Sequence, residues 1–241
     1  MGDLRANAIL AKMRAGEKAY GCSLNFPSAA AIEILGAAGL DYVWLDSEHG
    51  PFTPESIEEM CRTAELAGLT PIARVPDISA PTILRFLDRG VMGIIGPHVS
   101  THQQAQGLAD ACRFPPQGKR SFGYGLRGVP PSVSSAEYIA QANAEVLVIA
   151  MIEDVEAIKN LPQILSVKGI DLFMYGPNDL AGSMGHPGQP DHPEVQKAMT
   201  DTTERIHAAG RRVTGDVMPA ASATGLLLEG AREFLRKAKA S

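Results

Sequence analysis

Cysteine is scarce: Cys22, Cys61 and Cys112 are three in number, far apart and without a CxxC pair. An odd count at that spacing supports neither a disulfide scaffold nor a thiolate zinc site, and it predicts a reduced, cytoplasmic protein. No run of Lys and Arg exceeds two, and the net charge is −5. The positive field that draws a chain onto phosphate backbones is therefore missing, and nucleic acid is not an expected partner. Long apolar runs are missing too. Asp3, Arg5, Lys12 and Arg14 interrupt the N-terminal segment, which gives no signal core and no bilayer-spanning stretch, so no membrane partner is expected. Gly2 is followed by Ala6 where myristoylation needs Ser or Thr.

What is present has average globular composition: 241 residues, 45% hydrophobic and 20% charged, with 24 Gly and 17 Pro. That length suits one α/β barrel of about 250 residues. Short β-branched or apolar runs mark candidate strands at Tyr20–Asn25, Tyr42–Asp46, Pro71–Val75, Gly93–Ile95, Val146–Ile152, Leu172–Tyr175 and Arg212–Thr214. They are near-continuously apolar, as parallel strands buried on both faces should be. Helices with readable ends lie between them. Thr53-Pro54 starts one that Gly68 stops, Ser79 starts one that Gly90 stops, and His192-Pro193 starts one that runs to Gly210. Strand starts recur roughly every 20 to 30 residues, the repeat of a βα unit. The expected fold is α/β, a (β/α)8 TIM-type barrel in one domain over residues 1–241, because Asp46 to His49, Arg74, Glu153 and Asp179 all follow strand ends, which a barrel gathers at one mouth.

Two segments break the rhythm. Residues 114–134 are rich in Gly and Pro and lack periodicity, which makes them a functional or a mobile loop. Within them Gly123-x-Gly125-x-x-Gly128 has the form of a dinucleotide fingerprint, but no strand leads into it and Pro130-Pro131 forbids the following helix. After Arg212 only 29 residues remain (213–241), whereas strand, helix, strand and helix with loops need roughly 40 or more. The barrel is expected to be shortened near its seventh helix and eighth strand.

Asp46-Ser47-Glu48-His49 puts three titratable groups in one βα loop, and a His beside two carboxylates is suited to proton transfer near neutral pH. Arg74 lies inside an apolar strand, where it needs an anion, either a structural carboxylate or a substrate carboxylate or enolate oxygen. Glu153 and Asp179 end adjacent strands with no cation between them, so one is neutral or a metal fills the gap. An oxygen-only donor set points to Mg2+ or Mn2+ rather than zinc. His98 and His102 are four apart across a strand–helix boundary and read as surface or core histidines. None of the eight lysines ends an apparent strand, which disfavours Schiff-base chemistry.

Asp46-Ser-Glu-His49-Gly-Pro, Ala73-Arg74, Phe86-Leu-Asp88-x-Gly90, Pro97-His-Val, Phe114-Pro-Pro-x-Gly-x-Arg120-Ser, Ile152-Glu153 and Gly176-Pro-x-Asp179-Leu resemble, in order and spacing, the HpcH/HpaI aldolase family of class II pyruvate-type aldolases. The resemblance spans about residues 10 to 212 and again Leu226 to Ser241. It implies a phosphoenolpyruvate/pyruvate-type barrel and reversible aldol cleavage of a 4-hydroxy-2-oxoacid to pyruvate, or a close 2-oxoacid, and an aldehyde. By the same resemblance Glu153 and Asp179 hold a divalent cation, with Co2+ as a further option beside Mg2+ and Mn2+. Arg74 stabilises the enolate oxygen, His49 is the base, Asp88 raises its basicity and Asp46 supports the loop. Gly176 and the backbone at Asn178 and Asp179 meet the substrate carboxylate. The family also implies a homo-oligomer, a dimer or trimer of dimers, with the helix 226–239 packed on a neighbouring subunit across a linker at Met218–Gly225. Two departures stand out: Met151 replaces a glutamine found in some members, and the eighth strand has no evident counterpart. A CoA-ester lyase of the citrate lyase β type, or a barrel remnant that only binds a 2-oxoacid, are the alternative readings.

Overall fold

Strands that are apolar on both faces require cover on both sides, and the chain meets this with two apolar layers around one parallel sheet. The computed structural model describes residues 5–123 and 133–240. Its strands are β1 (Gly21–Leu24), β2 (Tyr42–Asp46), β3 (Thr70–Arg74), β4 (Gly93–Gly96), β5 (Leu147–Ile152), β6 (Leu172–Tyr175) and β7 (Ala220–Ser222), paired in parallel in the order β6-β5-β4-β3-β2-β1-β7. The helices are α1 (Ala8–Ala15), α2 (Ala29–Ala37), α3 (Pro54–Leu66), α4 (Ala80–Asp88), α5 (His102–Cys112), α6 (Ser135–Glu145), α7 (Val155–Lys159), α8 (Leu161–Leu165), α9 (Pro177–Ser183), α10 (Pro193–Ala208), α11 (Thr214–Val217) and α12 (Ala223–Ala240). This is a shortened TIM-type barrel. Among the described residues no helix is long and apolar enough to cross a membrane.

The period of two along each strand divides its side chains between the layers. Val43, Leu45, Ala73, Val148, Ala150, Ile152 and Phe173 join the layer under the helices. Tyr42, Ile72, Ile95, Leu147, Ile149, Met151 and Leu172 fill the barrel interior. Ile9 and Leu10 of α1 extend that inner cluster. They are held by Asn7, fully buried, whose Oδ1 accepts from the N–H groups of Ile9 and Leu10 while its Nδ2 donates to the carbonyls of Met92 and Glu145.

The helix starts follow the expected caps. Thr53 and Ser56 form a capping box at α3, Ser79 caps α4, and His192 precedes Pro193 at α10. Gly68 and Gly210 stop α3 and α10 with φ of 75° and 70°, a left-handed turn that glycine adopts without cost.

The C-terminal expectation needs correction. The segment Arg212–Thr214 is not a strand but a single parallel bridge, Val213 to Phe173. The sheet has seven strands among the described residues, in keeping with a shortened barrel, but the last of them, Ala220–Ser222, lies within the stretch expected to be a linker and pairs with β1. The seventh helix is compressed to the one turn of α11. Residues 213–219 thus carry the chain from a single bridge on β6 to β7, which covers the β1 edge, and among the described residues β6 and β7 end the sheet. Small Ala-Ala-Ser residues carry no β-strand pattern of their own; pairing with β1 imposes the strand. Tyr42 pins the same segment from inside, its hydroxyl donating to the Met218 carbonyl at 2.6 Å. A Cβ on Gly21 would lie 2.4 Å from the Tyr42 ring, so only glycine admits the ring there. Tyr42→Phe should leave a buried carbonyl without this donor and cost about 1–3 kcal/mol, read as a lower urea midpoint at unchanged slope.

The described start of the irregular loop is packed. Phe114 is buried and meets Phe122 and Tyr138 edge-on at 5.8 and 6.0 Å, and Arg120 lies over the Phe114 ring at 4.4 Å. Gly125 and Gly128 of the glycine pattern lie outside the described residues.

Candidate active site at the barrel mouth

The inward column of each strand turns from apolar to polar at its C-terminal end. Tyr42 and Trp44 are followed by Asp46, Ile72 by Arg74, Leu147, Ile149 and Met151 by Glu153, and Leu172 and Met174 by Gly176. Parallel register sets Asp46 beside Arg74, and Ile152 beside Tyr175, which brings Glu153 next to Gly176. Met151, which replaces the family's glutamine, lies in the apolar interior one step below Glu153.

Arg74 grips Asp46 with two bonds, Nε to Oδ1 at 2.9 Å and Nη2 to Oδ2 at 2.7 Å, and its Nη1 lies 3.1 Å from Glu48. Burial works against the guanidinium charge, but the hydrogen bond and charge of Asp46, then Glu48 and Glu153, outweigh it and raise the Arg74 pKa. Burial likewise works against ionisation of Asp46, yet the bond and charge of Arg74 hold its carboxyl below the usual range. A structural ion pair therefore exists, and the guanidinium still carries N–H groups beyond these three contacts.

Glu48 joins the groups. Besides Arg74 it faces His98 Nε2 at 3.3 Å and His49 Nε2 at 4.0 Å. His98 Nδ1 lies 3.1 Å from Glu153 Oε1, and the His98 backbone N–H donates to the same oxygen at 2.5 Å. Glu153 is 1% exposed in its side chain. Its burial comes first in pushing the carboxyl up, the charges of Glu48 and Asp179 add to that, and His98 opposes it.

The predicted residues are distributed as follows. Asp46, Arg74, Glu153 and Gly176 meet at the mouth. Asn178 and Asp179 are exposed on the first turn of α9, immediately past β6, and the charge of Asp179 reaches Glu153. His49 is 65% exposed beside Glu48. Asp88 is not brought to His49 within the chain: it is the last residue of α4, which returns towards the N-terminal ends of the strands, and it pairs with Arg120 at 2.9 Å. A five-residue strand spans about 17 Å, so within one chain Asp88 and the loop of His49 lie at opposite ends of the strands. Two residues without an assigned role, Glu48 and His98, stand at the centre. For Glu48 the signal was its place in the acidic loop. His98 follows β4 with φ 54°, among the described residues the one non-glycine in the left-handed region, which no sequence pattern announces.

The mouth fits a hard divalent cation. Glu153 Oε2 is buried and has no hydrogen-bond partner, an arrangement that costs free energy unless something binds there. A Cβ at Gly176 would sit 2.2 Å from that same oxygen, so glycine preserves the carboxylate's position. The charge of Asp179 reaches Glu153, so two carboxylates face this position, with His98 Nδ1 3.1 Å from the other oxygen of Glu153.

The profile of the HpcH/HpaI aldolase/citrate lyase family matches residues 20–238. A hydroxypyruvate/pyruvate aldolase from Roseobacter denitrificans is 35% identical over 220 residues, covering 90% of this chain and 86% of that protein. A 4-hydroxy-2-oxo-heptane-1,7-dioate aldolase from Klebsiella pneumoniae is 36% identical over 206 residues, covering 85% of this chain and 77% of that protein. The crystal structure of an HpcH/HpaI aldolase from Desulfitobacterium hafniense superposes with a TM-score of 0.88 at 26% identity, covering 97% of each chain.

Proposed function

The chain belongs to the HpcH/HpaI aldolase/citrate lyase family, and from that premise we propose that it is a divalent-metal-dependent aldolase, a carbon–carbon lyase that reversibly converts a 4-hydroxy-2-oxoacid into pyruvate, or a close 2-oxoacid, and an aldehyde. The observation that carries the metal requirement is the buried, unpartnered Oε2 of Glu153 beside Gly176. Glu153 and Asp179 would hold Mg2+, Mn2+ or Co2+, which when bound supplies a Lewis acid for the 2-oxo group.

The remaining steps fall to the chain itself. Arg74, oriented by its two bonds to Asp46, offers its unspent N–H groups to the oxygen on which enolate charge develops, an interaction strongest where water is excluded. His49 takes the C4 hydroxyl proton as the C3–C4 bond breaks to release the aldehyde and the enolate, and that proton then goes to C3 to give pyruvate; condensation runs the same transfers in reverse. Gly176 and the backbone at Asn178 and Asp179 receive the 2-oxoacid carboxylate. His49→Ala should slow turnover by roughly 10²–10⁴ while leaving metal affinity nearly unchanged, and wild-type cleavage by that variant would remove His49 from the mechanism. The reading as a whole is tested by condensing pyruvate with a panel of aldehydes, after chelation and again with Mn2+. Metal-restored condensation with at least one aldehyde is expected; none with any aldehyde would overturn it.

The setting we propose is cytoplasmic, in keeping with three buried cysteines that form no disulfide. The partner is a second copy of the same chain. In α12 only Ala223 is buried, while Leu227 and Phe234 are 66% and 69% exposed and Leu226, Leu228 and Leu235 are also exposed. A helix with this much apolar surface needs cover. Light scattering at micromolar concentration should give a multiple of 25.6 kDa; a soluble, fully folded monomer would refute the pairing.

A further inference from the structure

Outside the mouth, one cluster has donors of a different kind. His186, His192 and Glu194 bring their ligand atoms within 4.8 Å of one another. His186 and His192 lie on the connection from α9 to α10 and Glu194 in the first turn of α10, and the chain that joins them, His186-Pro-Gly-Gln-Pro-Asp-His192-Pro-Glu194, is stiffened by three prolines. Backbone bonds set its path: His186 N–H donates to the Ala181 carbonyl, Gln189 N–H to His186, and His192 N–H to Gln189. The Gln196 side chain donates to the Pro190 carbonyl. The two imidazoles are thereby stacked, centroids 3.6 Å apart and planes 14° from parallel. His186 Nε2 lies 3.0 Å from Glu194 Oε2, and the Glu194 backbone N–H donates to His192 Nδ1 at a long 3.3 Å.

We propose that His186, His192 and Glu194 form a second metal site, separate from the one at the mouth, that takes a borderline transition ion of the Zn2+ type. Two imidazoles and one carboxylate are a zinc donor set, unlike the carboxylate pair Glu153 and Asp179 proposed to hold the ion at the mouth, and water completes the tetrahedron. The ion replaces the proton shared by His186 and Glu194 and displaces the long contact at His192 Nδ1. The rings splay about χ2, a soft torsion in histidine. Bound there, the ion clamps the end of α9 to the start of α10. Because α9 carries Asn178 and Asp179, the site braces the segment from which those residues project.

The test uses the full chain with E153A and D179A, so that the outcome does not depend on the aldolase reading; zinc held by His98 and Glu48, which remain at the mouth, would be indifferent to the substitutions at His186 and Glu194. Calorimetric titration with Zn2+ should show one equivalent per chain. Adding H186A, or separately E194Q, should weaken it by more than the ten- to about a hundredfold that loss of an outer-shell partner brings. X-ray absorption on the zinc-loaded E153A D179A protein should show imidazole scattering with Zn–N near about 2.0–2.1 Å. If H186A fails to fold, E194Q and the absorption spectrum decide. Absence of stoichiometric uptake, uptake indifferent to both substitutions, or a zinc shell without imidazole would overturn the proposal.

Discussion

Glu153→Gln is expected to lower metal-dependent turnover by about 10³-fold or more while leaving the fold as stable as before, or more stable. The glutamine keeps the size of the side chain but removes a ligand charge. A Lewis acid contributes several kcal/mol to the transition state, and each 1.4 kcal/mol or so is a factor of about ten. The stability side follows from the same carboxylate. It is buried, raised in pKa by that burial and by the charges of Glu48 and Asp179, and one oxygen has no partner. Such a group holds no stability to lose with its charge, and neutralising it relieves repulsion. Thermal melts of the metal-free variant, paired with kinetics at saturating Mn2+, separate the two effects. A variant that melts well below wild type would make Glu153 a structural residue, and one with wild-type turnover would remove it from the metal site.

Arg74→Ala is expected to do the opposite, losing both stability and activity. It removes the guanidinium in bonding contact with Asp46 and Glu48, both largely buried, and breaking a buried pair by deleting one partner costs about 3–5 kcal/mol. The pH dependence fixes the cause. Asp46 has a folded pKa below its unfolded value, so its contribution is fully present above the unfolded pKa and is lost as pH falls through the folded one. In Arg74→Ala that acid-side loss should shrink, because little stabilisation of the Asp46 anion remains to be lost. Denaturant midpoints between neutral pH and pH 3 check this; an undiminished acid-side decline in the variant would assign the effect to other carboxylates. Arg74→Lys should recover part of the stability but less of the activity, since an ammonium cannot grip Asp46 in a fork and also serve an enolate oxygen.

The parts of the fold that were legible in the sequence are those where local pattern and global position agree. β2, β5 and β6 read as apolar runs because both of their faces are buried, and α3 and α4 read from caps that the structure uses. β7 was not legible, because Ala-Ala-Ser becomes a strand only by pairing with β1. The same separation applies at the mouth. Asp46, Arg74, Glu153 and Gly176 could be found because each is a polar or small residue ending an apolar strand, and strand ends converge in a barrel. Glu48 and His98 owe their central place to loop conformations, in His98 to a left-handed backbone. Asp88 comes from a motif match alone, and such a match does not say which end of its helix faces the site.

The measurement that bears most directly on the whole account is deuterium exchange into the methyl group of pyruvate in D2O, followed by proton NMR with the chelated protein and again after Mn2+ is added. In the proposed mechanism enolisation at the mouth requires the metal, Arg74 and a base but no aldehyde, so the natural substrate need not be known. The account predicts exchange that is stimulated by Mn2+ and lost in Glu153→Gln. A folded wild-type protein showing no metal-stimulated exchange would contradict it.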